Sequence, residues 1–209
     1  SAHLPLLRSL PLVPLASGVM ASAEQGAIHE MDASLMSELQ ATGVAALQQL
    51  RLLDPTFARL AEHTRPAARI LLSRLRVLPL ERQALVERHV LPQLTAGGGA
   101  SRTELASLLA FASAQCESCT ALQNGNLERK LLESGVCVLS ADGGIVELRS
   151  SHRQQQRLHL GPQLRLRRLG PGAIDFVPRP PPGAYLELDE AAYLAVDGEP
   201  SRWELFAGL

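Results

Sequence analysis

The chain has 209 residues, with 20 basic side chains against 21 acidic ones, a net charge of −1 and an aromatic content of only 3%. Near-neutrality excludes a surface given over wholly to nucleic acid or anionic lipid, and the scarcity of aromatics leaves Leu, Val and Ala to fill the core. No apolar stretch approaches the ~20 residues needed to cross a bilayer. The run Leu4–Leu15 is broken by three prolines and lacks a signal-peptide layout, so no membrane segment and no targeting segment are expected. Three cysteines, an odd number, suggest an intracellular, reducing compartment and not a disulfide framework. The chain begins without Met and stops after Phe206-Ala207-Gly208-Leu209, which reads as a piece of something longer.

One phrase occurs twice along the chain: an apolar run, a small-residue or Gly turn, then a half-polar run. The first copy is Leu10-Pro11-Leu12-Val13-Pro14-Leu15-Ala16-Ser17-Gly18, with Ile28 and His29 further on, inside an extended and turn-rich stretch of 30 residues. From Ala33 to Leu94 the pattern is helical. Asp54-Pro55 and Arg65-Pro66 each fit a helix start, because Pro is pre-organised for the first helical position, where its missing N–H has no partner anyway. Ile70, Leu71, Leu72 and Leu75 form one apolar stripe. Pro79 is expected to open a further helix, Leu80–Leu91, with Leu80, Ala84 and Leu91 inside and Glu87 and Arg88 outside, and Pro92 to end or kink it.

Gly97-Gly98-Gly99 reads as a joint. Ser101-Arg102-Thr103-Glu104 is a capping box, with Leu105, Leu108, Leu109 and Ala112 on the buried face of the helix it opens. Asn126 fits the cap of a second helix, which Gly135 stops. The second copy of the repeated phrase follows, Val136–Leu148, where Asp142-Gly143 signals a hairpin. Residues 149–168 carry Arg149, Arg153, Arg157, Arg165, Arg167 and Arg168 with no acid among them. Pro178–Pro182 is a stiff break, Tyr185–Leu188 alternates like an edge strand, and Trp203 and Phe206 suggest a terminal helix.

These elements predict an α+β fold: a helical centre with small antiparallel hairpins or sheets in the N-terminal and C-terminal parts. The division falls at the glycines. Residues 1–96 hold a hairpin and a helical segment, and residues 100–209 a helical pair, a hairpin and a small sheet with a terminal helix.

Few residue constellations carry chemistry. Cys116-Glu117-Ser118-Cys119 could supply half of a tetrahedral zinc site, but a second clear ligand pair is missing and the cysteines read as small residues at a helix end. They stay as weak metal candidates, and no metal or cofactor is expected. The Arg149–Arg168 stretch could contact phosphates, yet it alternates with Leu158, Leu160, Leu164, Leu166 and Leu169 and lacks aromatics that would stack on bases, which reads as a solvated face. No Ser lies in a nucleophile elbow and no phosphate-cradling Gly pattern appears. Catalytic and cofactor-binding residues are therefore none.

The order of several short phrases resembles a segment of the plant NO VEIN family and, more distantly, sacsin. The phrases are Leu10–Leu15 with its turn, Arg51-Leu52-Leu53-Asp54-Pro55, His89-Val90-Leu91-Pro92, the Cys116-x-x-Cys119 helix end, Val138–Gly143 and Arg202-Trp203-Glu204-Leu205-Phe206. Those large proteins pair a histidine-kinase/Hsp-like ATPase module with long α+β repeat regions. The family's ATP-binding signatures are not found in this chain, and a proline expected between the two cysteines is replaced by Glu117-Ser118. The resemblance implies a non-catalytic structural and interaction segment of a chaperone-like protein, whose partners are other domains of the parent chain, including an ATPase module, and further proteins. Two alternatives remain at this point: a nucleic-acid-binding module using Arg149–Arg168, and a zinc-stabilised domain using Cys116 and Cys119.

Overall fold

The computed structural model describes residues 3–63, 66–95, 98–117, 130, 133–147, 157–159 and 185–196. They form an α+β fold divided into two compact units, one of residues 1–41 and 45–81 and one of residues 42–44 and 82–209.

The first unit opens with helix α1 (Leu4–Ser9), where the sequence predicts extended chain; Pro5 fits its first turn. Strands β1 (Pro11–Pro14) and β2 (Met20–Ser22) then form the expected antiparallel hairpin. Strand β3 (Ile28–Glu30) does not join it by local pairing. It runs parallel to β4 (Val77–Pro79), with Ile28 opposite Val77 and Glu30 opposite Pro79.

Residues 51–54 link the two pairs. Leu53 bridges Leu15 in antiparallel sense, and Leu52 bridges His29 in parallel sense. The order across this sheet is β2, β1, residues 52–53, β3, β4. Val13, Ala21, Ile28, Leu53 and Val77 from the sheet pack with Ala61, Leu72 and Leu75 from helices α4 (Pro55–His63) and α5 (Pro66–Arg74) in one core cluster. Helices α2 (Ala33–Ala41) and α3 (Ala45–Gln48) carry the buried Leu35, Met36, Leu39 and Leu47.

Three expectations for this region need correction. The helical run from Ala33 is interrupted at residues 51–54 and at β4, because both segments have strand partners that lie far off in the chain. Pro79 ends a strand and does not start a helix. The Leu80 N–H donates to the Glu30 carbonyl at 2.8 Å, and alternation along the strand turns position 79 outward, where a missing N–H leaves no gap in the ladder. Of the apolar stripe on α5, Leu72 and Leu75 are buried, while Ile70 and Leu71 stand exposed.

In the second unit, α6 (Arg82–Leu85), a π-helical turn (Val86–Val90) and α7 (Leu91–Leu94) follow one another without a break. Pro92 therefore does not end the helix, and the irregularity expected at it takes the form of the π-helical turn. An α-helix would drive its ring into the Arg88 carbonyl, and the wider turn, in which the Leu91 N–H donates to the Val86 carbonyl five residues back, relieves that clash. Of the face expected inside, Leu80 and Leu91 are buried and Ala84 is half-buried, while Arg88 stands exposed as expected and Glu87 is half-buried; Leu85, Val86, Val90 and Leu94 are fully buried beside them. These turns pack on helix α8 (Arg102–Glu117) and belong to the second compact unit.

The capping box forms as expected. The Ser101 N–H donates to Glu104 Oε2 at 3.0 Å, and the Glu104 N–H donates to Ser101 Oγ at 3.3 Å. Leu105, Leu108, Leu109 and Ala112 are buried. Gly135 has the left-handed φ of +70° expected of a helix stop.

Strands β5 (Cys137–Leu139) and β6 (Ile145–Glu147) form the second hairpin. Only Gly143 of its turn has positive φ, so the turn is a three-residue loop with a left-handed glycine and not a two-residue Asp-Gly turn. Strand β8 (Tyr185–Glu187) pairs in parallel with β7 (Arg157–His159) and continues into Leu188, which bridges Ser140. The strand expected at Tyr185–Leu188 is thus an inner one. Helix α9 (Glu190–Ala195), capped by Asp189, was not anticipated. The expected helix after Asn126, the proline break and the helix at Trp203 and Phe206 lie outside the described residues.

Each unit contains the same substructure. In the first hairpin the Leu15 N–H donates to the Val19 carbonyl and the Gly18 N–H to the Leu15 carbonyl, both at 2.9 Å. In the second, Ser140, Gly143 and Gly144 make the same two bonds at 3.0 Å. Gly18 and Gly143 both take positive φ, +80° and +90°.

A Leu-Asp pair then docks identically. The Ala16 N–H donates to the Leu52 carbonyl at 2.8 Å and the Asp54 N–H to the Pro14 carbonyl at 2.9 Å. The Ala141 N–H donates to the Glu187 carbonyl at 2.8 Å and the Asp189 N–H to the Leu139 carbonyl at 2.9 Å. Each aspartate next caps a helix, Asp54 accepting from the Phe57 N–H at 2.8 Å and Asp189 from the Ala192 N–H at 3.0 Å. The sheet order β2, β1, residues 52–53, β3 in one unit matches β6, β5, β8, β7 in the other.

The copies differ at one backbone donor. Leu139 turns its N–H toward the docked Leu-Asp strand, and the hydroxyl of fully buried Tyr193 accepts it at 2.8 Å. The matching residue of the first copy is Pro14, which has no N–H, and the residue matching Tyr193 is Ala58. We predict that Tyr193→Phe, by leaving a buried amide unpaired, lowers stability by about 1–3 kcal/mol in chemical denaturation and speeds exchange of the Leu139 amide. In a Leu139→Pro background the same substitution should cost clearly less. An equal cost in both backgrounds would show that the hydroxyl does not serve this amide.

Candidate functional site

The first unit contains a cleft of about 230 Å³ where the first hairpin turn meets α2, α3 and the strand at residue 52. Leu39, Leu47 and Leu52 form its floor and are almost wholly buried. Leu15, Ala16 and Leu50 stand half-buried on its walls, and the exposed side chains of Ser17, Gln40 and Gln48 edge it. The site exists because Leu39, near the C-terminus of α2, and Leu47 of α3 turn inward beside Leu52, while the turn holds Ala16 through its bond to Leu52. None of the lining side chains ionises. Its chemistry is therefore apolar contact below and neutral hydrogen bonding above.

Away from the cleft, this unit has an apolar surface. Leu6, Leu10, Leu12, Val19, Met20, Leu60, Ile70, Leu71 and Leu78 are exposed, and among the described residues Ile145 is the one large apolar side chain of the second unit that is. The charged groups of this unit serve its frame. Arg51 donates to the Gly26 and Ser22 carbonyls, both at 2.7 Å, and Arg69 meets Glu30 at 2.5 Å. Arg8 reaches the Arg74 carbonyl at 2.9 Å, at the C-terminus of α5.

In the second unit the polar centre is Arg102. It donates to the Gly143 carbonyl in the hairpin turn and pairs with Asp189 at 2.7 Å, so one guanidinium joins the start of α8, the turn and the cap of α9. Asp142 accepts from the Ser140 hydroxyl and from the Gly144 N–H, and these bonds hold its carboxyl below the usual range. This cluster closes a turn and a helix start.

The sequence-derived metal candidates are not brought to a described site. Cys119 lies outside the described residues, and Cys116 is placed by backbone alone at the end of α8. Among the described residues no group of three His, Cys, Asp or Glu side chains could hold a metal ion. The Arg149–Arg168 stretch lies outside the described residues but for the backbone of β7. No described helix is long and apolar enough to cross a membrane. Sequence reading saw the Ser17-Gly18 turn but missed the cleft, whose walls come from segments far apart in the chain. It also missed Asp189, although a Leu-Asp-Glu start is a cap signal, and Tyr193.

Cys137 is buried, and burial, with the Glu147 charge adding to it, pushes its thiol up. Burial, with the neighbouring Arg88 charge, lowers the pKa of His89. Compared with known proteins, the chain matches no protein-family model, no curated protein and no solved structure.

Two outcomes are expected from these titrations. In a Cys116→Ser/Cys119→Ser variant the remaining thiol of Cys137 should react with a disulfide reagent only as fast as the protein unfolds. Rapid reaction in the folded state would contradict its burial. His89 binds its proton more weakly folded than unfolded, so acidification through pH ~6.5 protonates the unfolded chain first and stability falls until the lower folded pKa is passed. His89→Gln should flatten the denaturation midpoint over that window, and an unchanged slope would reassign the effect.

Proposed function

We propose that this chain is a non-catalytic structural and interaction segment of a large, chaperone-like protein similar to the NO VEIN family and sacsin. The observation that carries this reading is the substructure built twice, since a chain made of repeated α+β units is what the resembling proteins' repeat regions would supply. Repeats of this kind present surface and spacing and place no demand for reactive groups on each copy. The exposed apolar side chains of the first unit give the reading its surface, because apolar groups left in water are those a protein partner would cover. Its partners are then other domains of the parent chain, an ATPase module among them, and further proteins.

Two measurements test it. Calorimetry of the chain with ATP and Mg²⁺ should give no saturable heat, and micromolar binding would place a nucleotide site in this segment and end the non-catalytic reading. Photo-crosslinking residues substituted at Leu12, Leu60 and Ile70 in the parent protein should yield protein adducts well above those from exposed Glu38. Equal yields would remove the apolar surface from the argument.

A further inference from the structure

We propose that the cleft of the first unit is a binding site for a small, uncharged molecule with a short apolar body and one amide, carbonyl or hydroxyl group. This rests on the cleft itself and is independent of the scaffold reading. Size sets the first bound. A cavity of about 150 Å³ lined by Leu, Ile and Phe side chains holds benzene, and drug-sized ligands occupy about 300–1,000 Å³. At about 230 Å³ the cleft falls between them. Charge sets the second. With no ionisable side chain in the lining, a carboxylate or ammonium held in the cleft gives up part of its water and gains no counter-charge. Polarity sets the third. Ser17, Gln40 and Gln48 on the rim offer donors and acceptors to a single neutral polar group, while the body of the molecule covers the leucine floor.

The second copy of the substructure separates what the frame needs from what the cleft adds. Where the first copy has Leu15, Ser17 and Leu52, the matching positions hold Ser140, Asp142 and Glu187, and the same backbone bonds form. The hairpin and its docked strand thus tolerate polar and acidic side chains at these places. The neutral lining in the first unit is a property of that unit and not of the architecture.

Hexanamide, hexanoate and hexylamine serve as probes of equal chain length, read by methyl NMR of the Leu39, Leu47 and Leu52 side chains. Hexanamide should shift these methyls saturably, with hexanoate and hexylamine at least about tenfold weaker, a difference of ~1.4 kcal/mol. Leu47→Phe, which fills the floor, should abolish the shifts while the remaining spectrum stays folded. Should that variant unfold, exposed Gln48→Leu is the substitute, and it should weaken hexanamide severalfold while leaving hexane-like contact at the floor. Charged probes binding as well as the amide, no saturable shift with hexanamide, or shifts that survive both substitutions would each overturn the proposal. A peptide ending in an apolar amide that binds where hexanamide does not would assign the cleft to a protein partner and overturn it as well.

Discussion

Each unit depends on a Leu-Asp pair laid against a hairpin. The leucine, Leu53 or Leu188, is 1% exposed and joins the hairpin as an added strand. The aspartate that follows uses its N–H to fix that strand to the hairpin and its carboxylate to start a helix. Two neighbouring residues therefore set the position of a strand and of a helix at once. A shift of one residue would turn the leucine outward and move the carboxylate off the helix start, so register is fixed from both sides. The helix cap contributes ~1 kcal/mol and the buried leucine a few kcal/mol, so packing supplies most of the stability while capping sets the geometry.

Around this shared frame the two units use different ties. The second is closed by Arg102, whose ion pair with Asp189 is partly exposed and worth at most ~1 kcal/mol. Its value lies in geometry, since the same guanidinium also holds the Gly143 carbonyl. The first unit relies on Arg51, which gathers the Ser22 and Gly26 carbonyls against the strand that carries Leu52 and Leu53. Both arginines act on backbone carbonyls of strands and turns, a task for which the forked guanidinium suits better than an ammonium.

The legible parts of this fold were those decided within a few residues. Both hairpins, the Ser101–Glu104 capping box, the starts at Asp54-Pro55 and Pro66 and the stop at Gly135 could be read because turn and cap chemistry is local. The parallel pairing of Ile28–Glu30 with Val77–Pro79 could not, since three-residue strands carry no periodicity and their partners lie some fifty residues apart. The helix face near Ile70 was misread for a related reason: only Leu72 and Leu75 of that stripe meet the core. Near Pro92 the expected Leu80 and Leu91 are buried, but the π-helical turn that also buries Val86 and Val90 left no local signal. The cleft was illegible because its floor joins Leu39, Leu47 and Leu52 from separate segments, and none is unusual in its own window.

The repeated phrase was visible in the sequence, but its meaning was not, because the equivalence lies in backbone bonds and not in side chains. Where the copies diverge, they diverge in pairs. The docked strand in each hairpin faces one backbone nitrogen that it cannot satisfy, at position 14 or 139. Proline removes the donor in one copy, and a tyrosine from the capped helix reaches back to it in the other. Neither solution works half-made: a tyrosine facing Pro14 would bury a hydroxyl without that partner, and an alanine in place of Tyr193 would strand the Leu139 amide. The two positions are thus tied by one requirement, that no buried donor go unpaired. That requirement belongs to the architecture, whereas the side chains over the cleft answer to no such rule, and at two of those positions, Leu15 and Leu52, the first unit is apolar where the second has Ser140 and Glu187.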